Sequence, residues 1–580
     1  MNSSSHRFLV FTWLALLMAM VAAAALYVFA LFFGNLNQDE GWYLYSALRV
    51  AEGAQPYRDF FFTQGPVLPK VYGVLSGLWA PHGVLGGRVL TLMFGVLGCV
   101  ATALLARRAV QRERALEASV VAFALTACNL YHAYFTTIPK AYGLASFFVM
   151  TGFLLLSLCI PREPKTRSMR TAMWAFPAGM LIALSAGTRL SLGLLLPVTA
   201  LGLLVTCRRT GAAFFLFSLG GALGLLLVFG PPLLEMREQF VFAQTFHLSR
   251  EGGGCDMFLM AGSLSRSVRA YLPMAMMAAA LVLSSMLGRR SGSFNGSGWA
   301  WLWLVGFLSV FCLQLFSPFP YDDYQVPVMG LLAAALAAWM VRSALGTFAR
   351  GALCLFWVMV VLVTTFGSPL PQEWMLARHD RFWAVRKTMP DLALLQKAGR
   401  EVRALAEGEG LLTQDAYLAV ETGMKVPEGL EMGPFSYFPD LSDDDATKFK
   451  VLNKRMLLAL IERAPCEMAA ISGYGFAVRA PVMDRVPEDD AQLFWYALSR
   501  NYDLVDAFDD FGQHNTRLQI FKRRPGMGAF APIEEAPAPP PPAEELPAPP
   551  LETAPTPAEA PPPPVPEAPP APEPAPAAAP

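Results

Sequence analysis

Eleven apolar runs, near residues 8–34, 84–106, 116–135, 140–160, 173–187, 190–206, 212–234, 270–287, 298–316, 326–341 and 351–367, fill the chain up to residue 367. A helix crosses the hydrocarbon core of a bilayer with roughly 20 apolar residues, and these runs reach or approach that length. Within lipid a segment must satisfy its own backbone hydrogen bonds, so such runs fold as helices. The expected fold is therefore a polytopic α-helical membrane protein with about eleven transmembrane helices. With 54% hydrophobic and only 16% charged residues, an ordinary soluble protein is excluded. Ala22-Ala-Ala-Ala25 has the look of a signal-peptide cleavage region, but the first run has an apolar length of about 26 residues. It reads as a retained helix.

Basic and acidic residues balance at 45 each, so net charge implies no nucleic-acid partner, and the position of the cations is the informative quantity. They cluster at Arg107-Arg108 with Arg112 and Arg114, at Arg162 to Arg170, Arg208-Arg209, Arg289-Arg290 and Arg342 to Arg350. An N-terminus on the cytoplasmic side puts all of these clusters inside, as the positive-inside bias requires. The outer face then carries a first loop, residues 35–83, the turn Thr136-Thr-Ile-Pro-Lys140, the break at Gly187-Thr-Arg-Leu-Ser191, the connection 235–268, and Tyr321-Asp-Asp-Tyr324.

The membrane module is expected to span residues 1–367, followed by a small outer α/β domain, 368–527, and a tail, 528–580. Leu392–Ala406, Asp443–Arg463 and Ala491–Arg500 have helical periodicity; Gly410–Val420 reads as a strand entering a loop and Glu467–Ser472 as a buried strand. Tyr502–Phe508 and Thr516–Arg523 flank Gly512-Gln-His-Asn515 as a hairpin. Neither a dinucleotide fingerprint nor a phosphate-binding loop is present in that domain. The tail is almost only Pro, Ala and Glu, which cannot bury a core and favours a disordered, polyproline-like chain.

Chemistry is most legible just after the first helix, in Asn37-Gln-Asp-Glu-Gly-Trp-Tyr-Leu-Tyr45. Two adjacent carboxylates, Asp39 and Glu40, at a helix mouth are costly unless they are solvated or used. Together with Glu52-Gly53, Pro56-Tyr-Arg-Asp-Phe-Phe-Phe62 and Gly65-Pro66, this stretch resembles the first outer loop of the family 39 membrane glycosyltransferases of GT-C type. The likeness is to the branch around the rhizobial lipopolysaccharide core galacturonosyltransferases, a group with protein mannosyltransferases and aminoarabinose transferases. The resemblance implies that Asp39 is the catalytic base and Glu40 its supporting acid, and that the donor is a sugar on a polyprenyl phosphate. It further implies an envelope acceptor (lipopolysaccharide core, lipid A, another glycolipid or a protein) and a bacterial cytoplasmic membrane location with the active site outside.

Independently of that likeness, a departing lipid phosphate needs fixed positive charge at headgroup depth, and Lys140 and Arg189 are the outer-face cations nearest apolar runs, with Arg58 a third candidate. Each also reads as a snorkelling anchor. The resemblance further implies Tyr43, Tyr57, Asp59, Asp322 and Asp323 as the expected contacts to sugar or acceptor hydroxyls, although Asp322-Asp323 also reads as a solvated turn. The connection around His247, Arg250, Gly252-Gly-Gly254 and Asp256 reads as a lid or an ordinary mobile link. A divalent cation on Asp39 or Glu40 stays open, since no full ligand set is visible. Two rival functions remain: a non-enzymatic transporter or lipid flippase, and an outer-face oligosaccharide ligase.

Overall fold

The computed structural model describes residues 3–159, 169–206, 211–246, 257–286, 298–317, 321–343, 347–367, 388–473, 475–476, 478–480 and 484–525. Within the described residues, all eleven apolar runs are largely helical. Six described helices are long and apolar enough to cross a membrane: Val10–Phe33, Ser76–Arg108, Ala141–Leu158, Gly211–Glu235, Asp323–Ser343 and Phe348–Gly367. Met257–Ala270 and Leu272–Met286, bent by 90° at their junction, make a seventh if counted as one span. The difference from eleven arises where a run is short or interrupted. Ala175–Thr188, Leu190–Val205 and Trp299–Leu315 are shorter apolar helices. The run 116–135 splits into Ala115–Ala127 and Leu130–Phe135, because Asn129 leaves the helix and its side chain caps the next one through the backbone N–H of His132. Leu190–Leu194 is a 3-10 segment.

The residues between the first two spans are more helical than a loop implies. Gln38–Ala51 opens with a capping box, in which the Asn37 side chain accepts from the backbone while Glu40 reaches back to the Asn37 N–H at 2.8 Å. Val67–Val74 follows. This region shares a hydrophobic core with the C-terminal part: Trp42, Tyr45, Phe60, Phe61 and Phe62 are packed in one cluster with Leu395, Leu418, Phe438 and Ile471. The helix Gln38–Ala51 lies directly on Ala416–Thr422, so closely that a Cβ on Gly41 would stand 2.3 Å from the Tyr417 backbone nitrogen. Only glycine fits that crossing.

In the C-terminal part, a four-stranded sheet has the order β1 (Leu411–Leu412), β2 (Met468–Ile471), β6 (Thr516–Arg523), β5 (Tyr502–Phe511). β1 runs parallel to β2, and β6 is antiparallel to both of its neighbours. The two short strands β3 (Val478–Arg479) and β4 (Asp484–Arg485) pair apart from it. The expected hairpin and buried strand are found. Two expectations change. Gly410–Val420 is strand for only two residues before turning into the helix Ala416–Thr422. Asp443–Arg463 is two helices, because Lys450 takes a left-handed conformation at φ 59° and Asn453 caps the second one. Residues 247–256, including the lid candidates, and the Pro/Ala-rich tail lie outside the described residues.

One buried acid gives this part a pH dependence. Glu431 is 2% exposed, and burial pushes its carboxyl up to about 7, opposed by the Gly429 N–H that donates to it at 2.8 Å. A carboxyl raised above its free value favours folding while protonated. Its contribution is complete below about 4.5 and is lost as pH rises through about 7. Glu431→Gln should therefore flatten the dependence of melting temperature on pH and melt above wild type at pH 8, as differential scanning fluorimetry in detergent can read.

Candidate active site

Four polar side chains from separate segments meet at one end of the bundle. Asp39 stands in the first turn of Gln38–Ala51, and Lys140 immediately precedes the span Ala141–Leu158. Arg189 ends Ala175–Thr188 with an extended backbone, φ −148° and ψ 112°, while Asp323 belongs to the 3-10 segment Asp322–Val328 that leads into Met329–Ser343. Each thus occupies a helix end, where the backbone leaves its regular ladder and a charged head has somewhere to go.

Lys140 Nζ is 2.9 Å from Asp39 Oδ2 and 3.6 Å from Asp323 Oδ2. Tyr142 donates its hydroxyl to Asp323 Oδ2 at 2.8 Å, and Arg189 Nη1 donates to that same hydroxyl oxygen at 3.1 Å. The Arg189 guanidinium also lies 3.8 Å from the centre of the Tyr324 ring, within the range of a cation–π contact. On the other side, Trp42 Nε1 donates to Asp39 Oδ1 at 3.2 Å. The result is one continuous chain, Trp42 to Asp39 to Lys140 to Asp323 to Tyr142 to Arg189. Asp39 is the more open carboxylate, with 29% of its side chain exposed against 12% for Asp323 and 11% for Lys140. Tyr43 stacks on Trp42 at 3.7 Å, and burial followed by the Asp39 charge raises its phenol well above the ordinary value.

Other expected residues fall elsewhere. Glu40 is wholly buried and turned away from this chain, forked onto Arg88 at 2.7 and 2.8 Å. Arg88 spends its other donors on the carbonyls of Leu31, Gly34 and Asn35. Arg58 forks onto Asp59 at 3.0 and 2.8 Å in a surface pair, and this hydrogen bond holds the Asp59 carboxyl below its usual range. Among the described residues, neither of these two side chains bonds to Asp39. Tyr57 is buried in the aromatic core with a backbone φ of 72°, its hydroxyl on the Gln64 carbonyl. The Asp322 side chain lies outside the described residues. Trp42, Tyr142, Tyr324 and Arg88 had no expected role. Arg88 alone carried a readable signal, as a lone cation inside an apolar run. Among the described residues no group of three His, Cys, Asp or Glu side chains converges as a metal centre, and the two carboxylates here share an ammonium.

The fold is that of a multi-pass helical membrane protein, as the apolar runs and the first loop led us to expect. The chain is similar to the crystal structure of ArnT from Cupriavidus metallidurans bound to undecaprenyl phosphate, with TM-score 0.55 and 13% identity over 90% of this chain and 98% of that one. It is similar also to ArnT from the same organism in the apo state, with TM-score 0.54 and 13% identity over 91% and 99%. No protein-family model and no curated protein matches the sequence.

Proposed function

We propose that this chain transfers a sugar from a polyprenyl-phosphate donor to an envelope acceptor, on the outer face of a bacterial cytoplasmic membrane, with Asp39 as general base. The observation that carries the reading is the Asp39–Lys140–Asp323 group with Arg189 beside it, a base and two fixed cations at the ends of membrane helices. The acceptor hydroxyl gives its proton to Asp39 as its oxygen attacks the anomeric carbon. The bond from that carbon to the phosphate oxygen breaks, and the electron pair leaves with the lipid phosphate, held by Lys140 and Arg189. A single displacement of this kind inverts the anomeric centre. Lys140 leaving Asp39 for the phosphate frees the base when a donor is in place. Fold likeness to a protein crystallised with undecaprenyl phosphate supports a lipid-phosphate carrier.

The orientation is supported by cations away from this cluster, where Arg114 Nη1 donates to the Val341 and Arg342 carbonyls at 3.3 Å and Arg342 Nη2 to the Ala109 carbonyl at 2.6 Å. Residues 368–527 would shape the acceptor side, and Glu40 would support the base by fixing the helix that bears it. Transferase and transporter are separated by incubating purified protein in detergent with labelled undecaprenyl-phosphate sugars and an envelope lipid extract. Wild type should convert the donor, and Lys140→Gln should lower the rate by about two to three orders of magnitude. Movement of lipid across vesicles without donor consumption would establish the transporter instead.

A further inference from the structure

A polar group buried at membrane depth is normally paired, since no water competes there for it. Gln325 breaks this rule. Its side chain is completely buried, and among the described residues neither the amide nitrogen nor the amide oxygen has a hydrogen-bond partner. It sits in the 3-10 segment Asp322–Val328, two residues beyond Asp323, with Ala141–Leu158, Gly298–Leu315 and Met257–Ala270 packed around that segment.

The neighbouring elements repeat the pattern. Gln314, on Gly298–Leu315, is 3% exposed; its amide nitrogen reaches Ser191 Oγ at 3.4 Å, two residues beyond Arg189, while its own oxygen has no partner among the described residues. On Met257–Ala270, Ser263 and Ser267 stand one turn apart, buried, and among the described residues neither hydroxyl has a partner. The segments that carry Arg189 and Asp323 into the candidate active site thus also carry or adjoin unfilled amide and hydroxyl groups.

The chemistry of these groups selects a ligand. A phosphate offers only acceptors and is already matched by Lys140 and Arg189, whereas an amide presents donors and acceptors together, the complement of sugar hydroxyls. We propose that Gln325 and Gln314 form the subsite for the hydroxyl groups of the donor sugar, beside the cations that take its phosphate, and that they set which sugar is accepted. A site built to hydrogen-bond a hydroxyl discriminates strongly against a ligand that lacks it. This inference rests on the transferase reading.

The test compares wild type with Gln325→Met, nearly the same shape without the amide, in detergent. Two probes are used: bare undecaprenyl phosphate, and whichever of a set of undecaprenyl-phosphate pentoses and hexoses wild type binds best. The variant should bind the bare lipid as wild type does and the glycosylated lipid roughly tenfold more weakly. Without ligand it should melt above wild type, because an unpaired buried amide has been removed. An unchanged ratio between the two probes overturns the subsite, and so does a variant that melts lower, which would make Gln325 a structural residue. Binding of neither lipid by wild type overturns the transferase reading and the subsite with it.

Discussion

Asp39→Asn is expected to abolish sugar transfer while leaving the fold intact, with kcat falling by about 10²- to 10⁴-fold, the usual contribution of a positioned general base. Asparagine keeps the shape and can still accept from Trp42, which wild-type Asp39 does at 3.2 Å. It cannot take a proton from the acceptor. Donor binding should change little, since Lys140 retains Asp323 as a partner at 3.6 Å. The measurement is single-turnover consumption of the labelled donor, with KM for donor determined alongside. Transfer by Asp39→Asn at the wild-type rate would remove Asp39 from the chemistry and leave Asp323, across the shared lysine, as the alternative carboxylate.

The second large effect is expected at Arg88. Its guanidinium and the Glu40 carboxylate are both wholly buried and joined by two hydrogen bonds, and three backbone carbonyls complete the guanidinium. Removing one partner of such a pair strands the other charge, at a cost of about 3–5 kcal/mol. Arg88→Met should therefore lose folded protein in detergent, read as yield and melting temperature. Adding Glu40→Met should recover part of the loss by removing the stranded carboxylate, but not all, because the carbonyls of Leu31, Gly34 and Asn35 stay without their donor. Glu40→Gln separates its two roles. Lower stability with turnover retained fits an anchor, whereas wild-type stability with turnover lost would return Glu40 to the reacting centre.

These two residues show how far the sequence could be read. Asp39 and Glu40 are adjacent and chemically alike, and nothing in their spacing distinguishes an open carboxylate from a sealed one. The distinction comes from Arg88, which approaches from the next span, and from the helical turn that points the two side chains different ways. Apolar periodicity was sufficient for the helices because each satisfies its own backbone. It was insufficient for breaks made by single side chains, such as the Asn129 cap. Lys140, Arg189 and Asp323 were visible as charges at helix ends, but their meeting with Asp39 depends on the packing of four segments far apart in the chain. Tyr142 and Tyr324, which bind Arg189 between them, look in sequence like ordinary interfacial aromatics. Arg58 and Asp59 looked like site residues because they are charged and near the motif, yet being neighbours they satisfy each other.

The backbone just before Asp39 is completed from far along the chain. The Leu36 N–H is taken by Asp391 at 2.8 Å, and the Gln38 N–H by Gln513 at 2.9 Å, separations of 355 and 475 residues. Neither partner has yet been made when synthesis reaches the end of the last described span at Gly367. A nascent chain can thus have its whole bundle in the bilayer and still lack the groups that finish the loop around its candidate base. Assembly of this region waits until residue 513 has left the ribosome.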